Sequence, residues 1–229
     1  MSHSVHPYSH RLGIIRDWRS RWFGLNKQYR DYLKGDIALR EYLAVELRPY
    51  LLAGIEIERT PKILRIVIKT ARPGMIIGRN GEGVIKLREK IVKLLDGKKL
   101  RIPGQDLKLD IEEVKNPESN ATVVGMMIAE GLEKRLPFRR VMKQMIEKVM
   151  ANRDVQGVKI KISGRLGGTD IARSEDLKKG RIPLQTFRAD IDFARERAHM
   201  TYGDLGIKVW IYKGDVFSKE ANTTAKKAV

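Results

Sequence analysis

The chain has 229 residues, 42% of them hydrophobic, which is enough apolar material for one large or two small folded domains and too much for a disordered chain. Its 46 Lys and Arg outnumber its 28 Asp and Glu, for a formal net charge of +18, and a field of that sign and size attracts polyanions. No apolar run approaches the ~20 residues of a spanning helix, the first ten residues lack a hydrophobic signal core, and cysteine is absent. A membrane partner is thereby disfavoured, disulfides and thiolate metal sites are excluded, and the chain suits the reducing cytoplasm.

The charge is spread out. Lys and Arg exceed Asp and Glu by five over residues 1–30, by seven over 61–115 and by eight over 116–229, and fall two short over 31–60. Several contacts to a long polyanion fit this better than one basic tail.

Residues 1–36 read as an N-terminal arm, with three histidines, Pro7 and arginines between the tryptophans of "RDWRSRWF". Asp36 is placed to cap a helix whose Leu39, Tyr42, Leu43, Leu47 and Tyr50 recur at helical spacing. Alternation in Ile55–Glu58 and Leu64–Ile68 predicts two strands around a Thr60-Pro61 turn. After Pro73-Gly74 a helical pattern begins, breaks at Gly78-Arg79-Asn80-Gly81, and resumes through Val84, Leu87, Ile91, Leu94 and Leu95. "KLDIEEVK" (108–115) alternates as a strand, and "KNPESN" (115–120) reads as a linker. Over 37–115 the order is therefore helix-strand-strand-helix-helix-strand.

The second half opens with helical stretches at 121–135 and 138–151, with Pro137 in a first-turn position. Strands are expected in "VKIKIS" (158–163), "TFRADIDFARERA" and "GIKVWIYK", so residues 116–213 form a C-terminal α+β domain with two helices on an antiparallel sheet. Residues 214–229 read as a polar tail. The fold class is α+β throughout.

The interrupted helix pair is the most informative feature. Gly-x-x-Gly between helices lets backbone approach a ligand with no Cβ in the way, and the next helix brings the positive end of its dipole to the turn. A phosphodiester is a natural guest there. Gly78, Arg79, Asn80 and Gly81 are thus candidate RNA-binding residues, with Ile76, Ile77 and Val84 placed to wall a shallow apolar groove. Strand-strand-helix-Gly-x-x-Gly-helix-strand is the order of a K-homology (KH) domain of the second topology, whose loop clamps nucleic-acid backbone. Gly164-Arg165-Leu166-Gly167 has the same spacing but follows a strand, and reads as a strand-end turn. Gly-Lys-Ser/Thr is absent and Gly78, Gly81 and Gly83 are not spaced for a dinucleotide, so no cofactor is expected.

A second basic site lies in "PFRRVMKQMIEKVM". At about 100° per residue, Arg139, Arg140 and Lys143 share one arc, while Met142, Met145, Ile146 and Val149 share the other side. The cationic arc is either a solvated face or a grip on phosphates. Arg72, Lys159, Lys161 and Arg165 are further candidate RNA contacts; Lys159 and Lys161 share one strand face. His3, His6 and His10 lack nearby carboxylates, and no metal is expected. Asp190 and Asp192 could make an acid pair in a nuclease, but Arg188, Arg195 and Arg197 point to salt bridging instead. Trp18 and Trp22 could stack on bases or dock the arm on a neighbour.

At this level of detail the chain resembles a known family. "VHP", "RLGI", "TARPGMIIGRNGE", "PFRRVMK", "ISGRLGGTDIAR", "GRIPL", "RADIDFA" and "TYGDLGIKVWIYKG" resemble, in order, the family of bacterial small-ribosomal-subunit protein S three over about residues 5–213. That resemblance implies a non-enzymatic protein of the small subunit's head, held by ribosomal RNA and by neighbouring head proteins, numbers ten and fourteen. It also implies a position at the channel where messenger RNA enters, with Arg139, Arg140 and Lys143 lining it and opposing RNA secondary structure. "DGKKLRIPGQD" (96–106) departs from the family as a longer loop, and the tail is short. The rival reading is a KH-type factor of transcription or RNA processing.

Overall fold

The computed structural model of the chain describes residues 5–98 and 105–217. His3, most of the 96–106 loop and the tail from residue 218 onward therefore lie outside the described residues. The chain divides into two compact units, one of residues 19–115 and one in which residues up to Trp18 join those from Asn116 onward.

In the first unit, α2 (Asn26–Glu46) precedes β2 (Leu52–Arg59), β3 (Ile63–Thr70), α3 (Pro73–Ile77), α4 (Glu82–Gly97) and β4 (Asp106–Glu113). A two-residue strand, β1 (Ser20–Arg21), adds to the edge, so the sheet order is β1-β2-β3-β4. β2 and β3 pair antiparallel, while β4 returns parallel to β3 after the helix pair. Leu39 and Leu43 of α2, Leu47 at its C-terminal cap, Ile57, Ile66 and Ile68 of the sheet, and Ile91 of α4 are all essentially inaccessible. On the other face, side chains of opposite sign close on one another: Lys69 on Glu56 (2.6 Å), Arg65 on Glu58 (3.2 Å) and Arg21 on Glu58 (3.0 Å).

Two expectations are corrected here. Asp36 does not cap the helix; the helix begins at Asn26, and Asp36 is buried in its interior. Its carboxylate accepts from Arg59 Nη2 (2.7 Å) and from Trp22 Nε1 (2.7 Å), and those partners let an acid sit where a helix would otherwise bury an apolar group. The expected arm is also not one piece. Arg40 donates to the Arg19 carbonyl (2.9 Å) and Ser20 Oγ (2.8 Å), and Trp22 packs on Tyr29 and Tyr32, which fastens residues 19–22 to the first unit.

In the second unit, α5 (Ala121–Glu133) and α6 (Phe138–Ala151) cover one face of an antiparallel sheet of order β6-β5-β8-β7. The strands are β5 (Gly157–Gly164), β6 (Arg173–Gly180), β7 (Ala189–Met200) and β8 (Gly203–Asp215). Val158, Ile160 and Ile162 of β5 with Ile207, Val209 and Ile211 of β8 meet Ile128, Met142 and Val149 of the helices in one core. Pro137 is the cap residue of α6 rather than part of its first turn. β8 runs to Asp215, so the expected tail begins inside a strand. β6 had no sequence signal: it is a charged edge strand without alternation, the kind of edge that resists further pairing.

Residues before Trp18 are tied in by Arg11, which ends the short helix α1 (Pro7–Arg11) and is fully buried. Its guanidinium donates to the carbonyls of Pro7 (3.0 Å), Leu184 (3.2 Å), Thr186 (2.8 Å) and Ala189. Burial pulls its pKa below the ordinary arginine value, while Asp190 acts in the opposite direction. Arg11→Met should lower the unfolding free energy by about 1–3 kcal/mol, because dry carbonyls are left without donors. Denaturant unfolding measures this, and an unchanged midpoint would refute it.

Candidate nucleic-acid interface

The turn between α3 and α4 is made by three special backbones within four residues. Gly78 has φ +70, Asn80 φ +52 and Gly81 φ +80, all in the region that L side chains avoid. The Glu82 N–H donates to the Arg79 carbonyl and closes the turn, and α4 starts at once with its dipole's positive end beneath the loop. Arg79 and Asn80 are exposed, and neither side chain has a protein partner among the described residues. The structure therefore brings Gly78, Arg79, Asn80 and Gly81 together as one solvent-facing bend.

Gly83 is a site residue that pattern reading missed. A Cβ there would lie 2.2 Å from the Ile76 carbonyl oxygen and 2.9 Å from that of Ile77, so only glycine lets α4 seat against the end of α3. The signal was present as a third glycine two residues beyond Gly81, but spacing alone could not show a close approach. The expected apolar wall is also corrected: Ile76 is 5% exposed and belongs to the core. Met75, Ile77 and Ile85 are the apolar side chains that face solvent beside the loop. Arg72 is exposed just before α3, without a side-chain partner among the described residues.

On α6, Val141, Met142, Met145, Ile146 and Val149 are buried, and Arg139, Arg140 and Lys143 are exposed as the helical spacing requires. The three cations, with Pro137, Gln144 and Glu147, line an open depression of about 570 Å³. They are not equivalent. Arg139 makes a bidentate pair with Glu175 of β6, at 3.0 Å from both Nε and Nη2. Those hydrogen bonds hold the Glu175 carboxyl below the ordinary range and raise Arg139 above its own. A group depressed this way stays ionised as pH falls past the usual carboxylate value, so the pair persists throughout the neutral range. Arg140 and Lys143 have no acidic partner among the described residues.

The remaining candidates divide similarly. Lys159 pairs with Asp176 (2.9 Å), whose pKa that hydrogen bond lowers, and sits over the Trp210 ring at 5.8 Å. Arg165 clamps its own turn, donating to the carbonyls of Thr169 (2.9 Å) and Tyr202 (3.3 Å) and to Asp170 (3.2 Å). The Gly164–Gly167 segment is a strand-end turn, with Gly164 and Gly167 both at positive φ. Asp190 and Asp192 do not form an acid pair, and their partners are not the arginines first expected. Asp190 accepts from Arg16 (2.6 Å), and Asp192 caps α5 by accepting the Ala121 N–H (2.9 Å). His6 caps α1 and meets the edge of Phe193 at 4.6 Å, whereas His10 lies against Phe187. Among the described residues no three acidic or histidine side chains converge as metal ligands. Trp22 is spent on internal packing, and Trp18 is exposed.

A helix–Gly-x-x-Gly–helix bend on a mixed sheet, joined to a second α+β unit with uncompensated surface cations, defines an RNA-binding protein built on a KH domain of the second topology. Residues 38–119 match the family model described as "KH domain", and residues 128–211 match that described as "Ribosomal protein S3, C-terminal domain". "Small ribosomal subunit protein uS3" of Caldicellulosiruptor bescii is 46% identical over 226 residues, 99% of this chain and 98% of the relative. The proteins of that name from Nitrosococcus oceani and Streptococcus sanguinis are 43% and 44% identical, covering 96% and 99% of this chain and 94% and 100% of their own. The chain belongs to the family of small ribosomal subunit protein uS3. It is a structural, non-enzymatic, RNA-binding component of the small ribosomal subunit, and its work is translation.

Proposed function

We propose that the chain anchors ribosomal RNA of the subunit head through Gly78–Gly81, and that α6 lines the channel by which messenger RNA enters. The observation that carries the messenger role is the pair Arg140 and Lys143, exposed on the outer face of α6 and in no ion pair among the described residues, although Glu147 lines the same depression. Fixed cations hold a single strand by its phosphates and oppose its re-pairing. No nucleotide-binding loop is present to power this, so the work of strand opening comes from the ribosome's own movement along the message. Arg139 acts chiefly through its pair with Glu175, which fixes β6 against the start of α6. Arg72, Lys161 and Arg165 are secondary RNA contacts on this reading, and Lys159 contributes least because Asp176 neutralises it. Contacts to head proteins ten and fourteen need apolar surface, and Tyr29, Leu33 and Ile37, at successive four-residue steps along α2, are exposed beside Phe23 and Leu25.

The test is translation by reconstituted ribosomes through a stable messenger hairpin. Arg140→Ala/Lys143→Ala should slow passage several-fold while leaving unstructured messages and subunit assembly unaffected. Arg139→Ala should have the smaller effect. Equal rates on both messages for the double variant would refute the role.

A further inference from the structure

The open faces of the two sheets are built on opposite electrostatic plans. On the first, Arg21, Arg65 and Lys69 each close on a glutamate. On the second, strand register places Lys161 of β5 opposite Lys208 of β8, and Lys208 opposite Arg195 of β7. All three point away from the helices, because Ile160, Ile162, Ile207, Val209 and Ala194 at alternate positions are buried under α5 and α6. With neighbouring strands about 4.8 Å apart, the row extends for about 10 Å. The row's acid is Asp176, opposite Lys161 at the β6 edge, and Lys159 already occupies it.

The rows on either side complete the surface. One holds Lys178, Lys159 and Trp210 and ends at Phe193, which is buried under His6; the other holds Ser163, Gly206 and Arg197. Half-buried Trp210 lies beside the cations with Lys159 over its ring at 5.8 Å, and Gly206 leaves the floor next to Lys208 without a side chain.

Like charges directly opposite on antiparallel strands destabilise a sheet. A row of three is therefore a standing cost to the isolated unit, which Asp176 offsets in part at one end and a bound polyanion offsets along its length. We propose that Lys161, Lys208 and Arg195 form a third RNA-binding surface, which holds the phosphates of a strand laid across the sheet. It depends on the preceding functional reading only for the class of partner. RNA is favoured over an acidic protein because the row is continuous and flanked by an aromatic ring, the combination that tracks a phosphate strand and its bases.

The test uses the full chain, a fluorescent twenty-nucleotide oligouridylate and a salt series. Lys161→Gln/Arg195→Gln/Lys208→Gln is compared with Lys27→Gln/Arg30→Gln/Lys34→Gln, an equal charge loss on exposed residues of α2. Each triple is made in the natural loop and in an Arg79→Asp/Asn80→Asp loop. The row variant should lower the slope of log affinity against log salt by about 2 in both loop backgrounds, at about 0.7 per phosphate released, and the α2 variant by less than about 1. Its melting temperature without RNA should rise by about 1–3 °C as the like-charge row is relieved. Equal losses from the two triples would overturn the proposal as general charge, and an unchanged slope would overturn it outright. A row variant that loses polyglutamate binding while keeping oligouridylate binding would reassign the face to an acidic protein. If the loop substitutions change nothing while the row effect remains, the row is supported and the loop's role fails separately.

Discussion

Asp36→Ala should destabilise the first unit by about 3–5 kcal/mol, because it leaves the Arg59 guanidinium charged, buried and unpaired. The two side chains are 4% and 2% exposed and 2.7 Å apart. Arg59 also lies over the Tyr32 ring at 5.0 Å, and Trp22 loses the acceptor of its indole N–H in the same variant. Urea unfolding followed by tryptophan fluorescence measures the loss directly. Asp36→Leu/Arg59→Met is the companion variant: with both charges gone, stability should return to within about 1 kcal/mol of the natural protein or exceed it. A single variant that loses less than about 1 kcal/mol would show that water reaches Arg59 and that the pair is not a buried one.

Gly83→Val should do comparable damage by a different route, at about 3 kcal/mol or more. The clash is with backbone carbonyls at the end of α3, so no side-chain rotation relieves it, and α4 must tilt away from the turn. Gly81→Ala is the contrast. Nothing lies within 4 Å of a Cβ there, and the cost is that of a left-handed backbone, about 1–2 kcal/mol. Binding should therefore separate from stability: Gly81→Ala folds and loses part of its RNA affinity, while Gly83→Val loses both. Equal unfolding midpoints for the two variants would refute the packing role of Gly83.

The strands and helices that line each core were legible because their burial alternates at the period of the element. Ile66 and Ile68, Ile160 and Ile162, and Met142, Met145 and Val149 sit where spacing put them. The loop was legible because glycines at positive φ leave a compositional mark. What escaped shares one cause: it depends on partners far away in sequence. The first ten residues of α2 went unread because most of them are polar and they include Gly35, and because Asp36 looks like a cap until Arg59 is seen beneath it. β6 went unread because seven of its eight residues are polar, charged or glycine, and with it went Glu175, the partner that separates Arg139 from Arg140. Lys208 carried no signal and Arg195 read only as a salt-bridge partner, since only strand register makes them neighbours of Lys161.

The buried Arg11 sets an order of events on the ribosome that makes this chain. Its acceptors at Leu184, Thr186 and Ala189 are added more than 170 residues later. At about 5–20 residues per second, Arg11 waits on the order of 10–30 s for its seat to exist. The unit of residues 19–115 can fold within that interval, before the seat of Arg11 exists. The leading segment can therefore lock onto its own unit only after residues 184–189 have been made, so that unit completes its folding last.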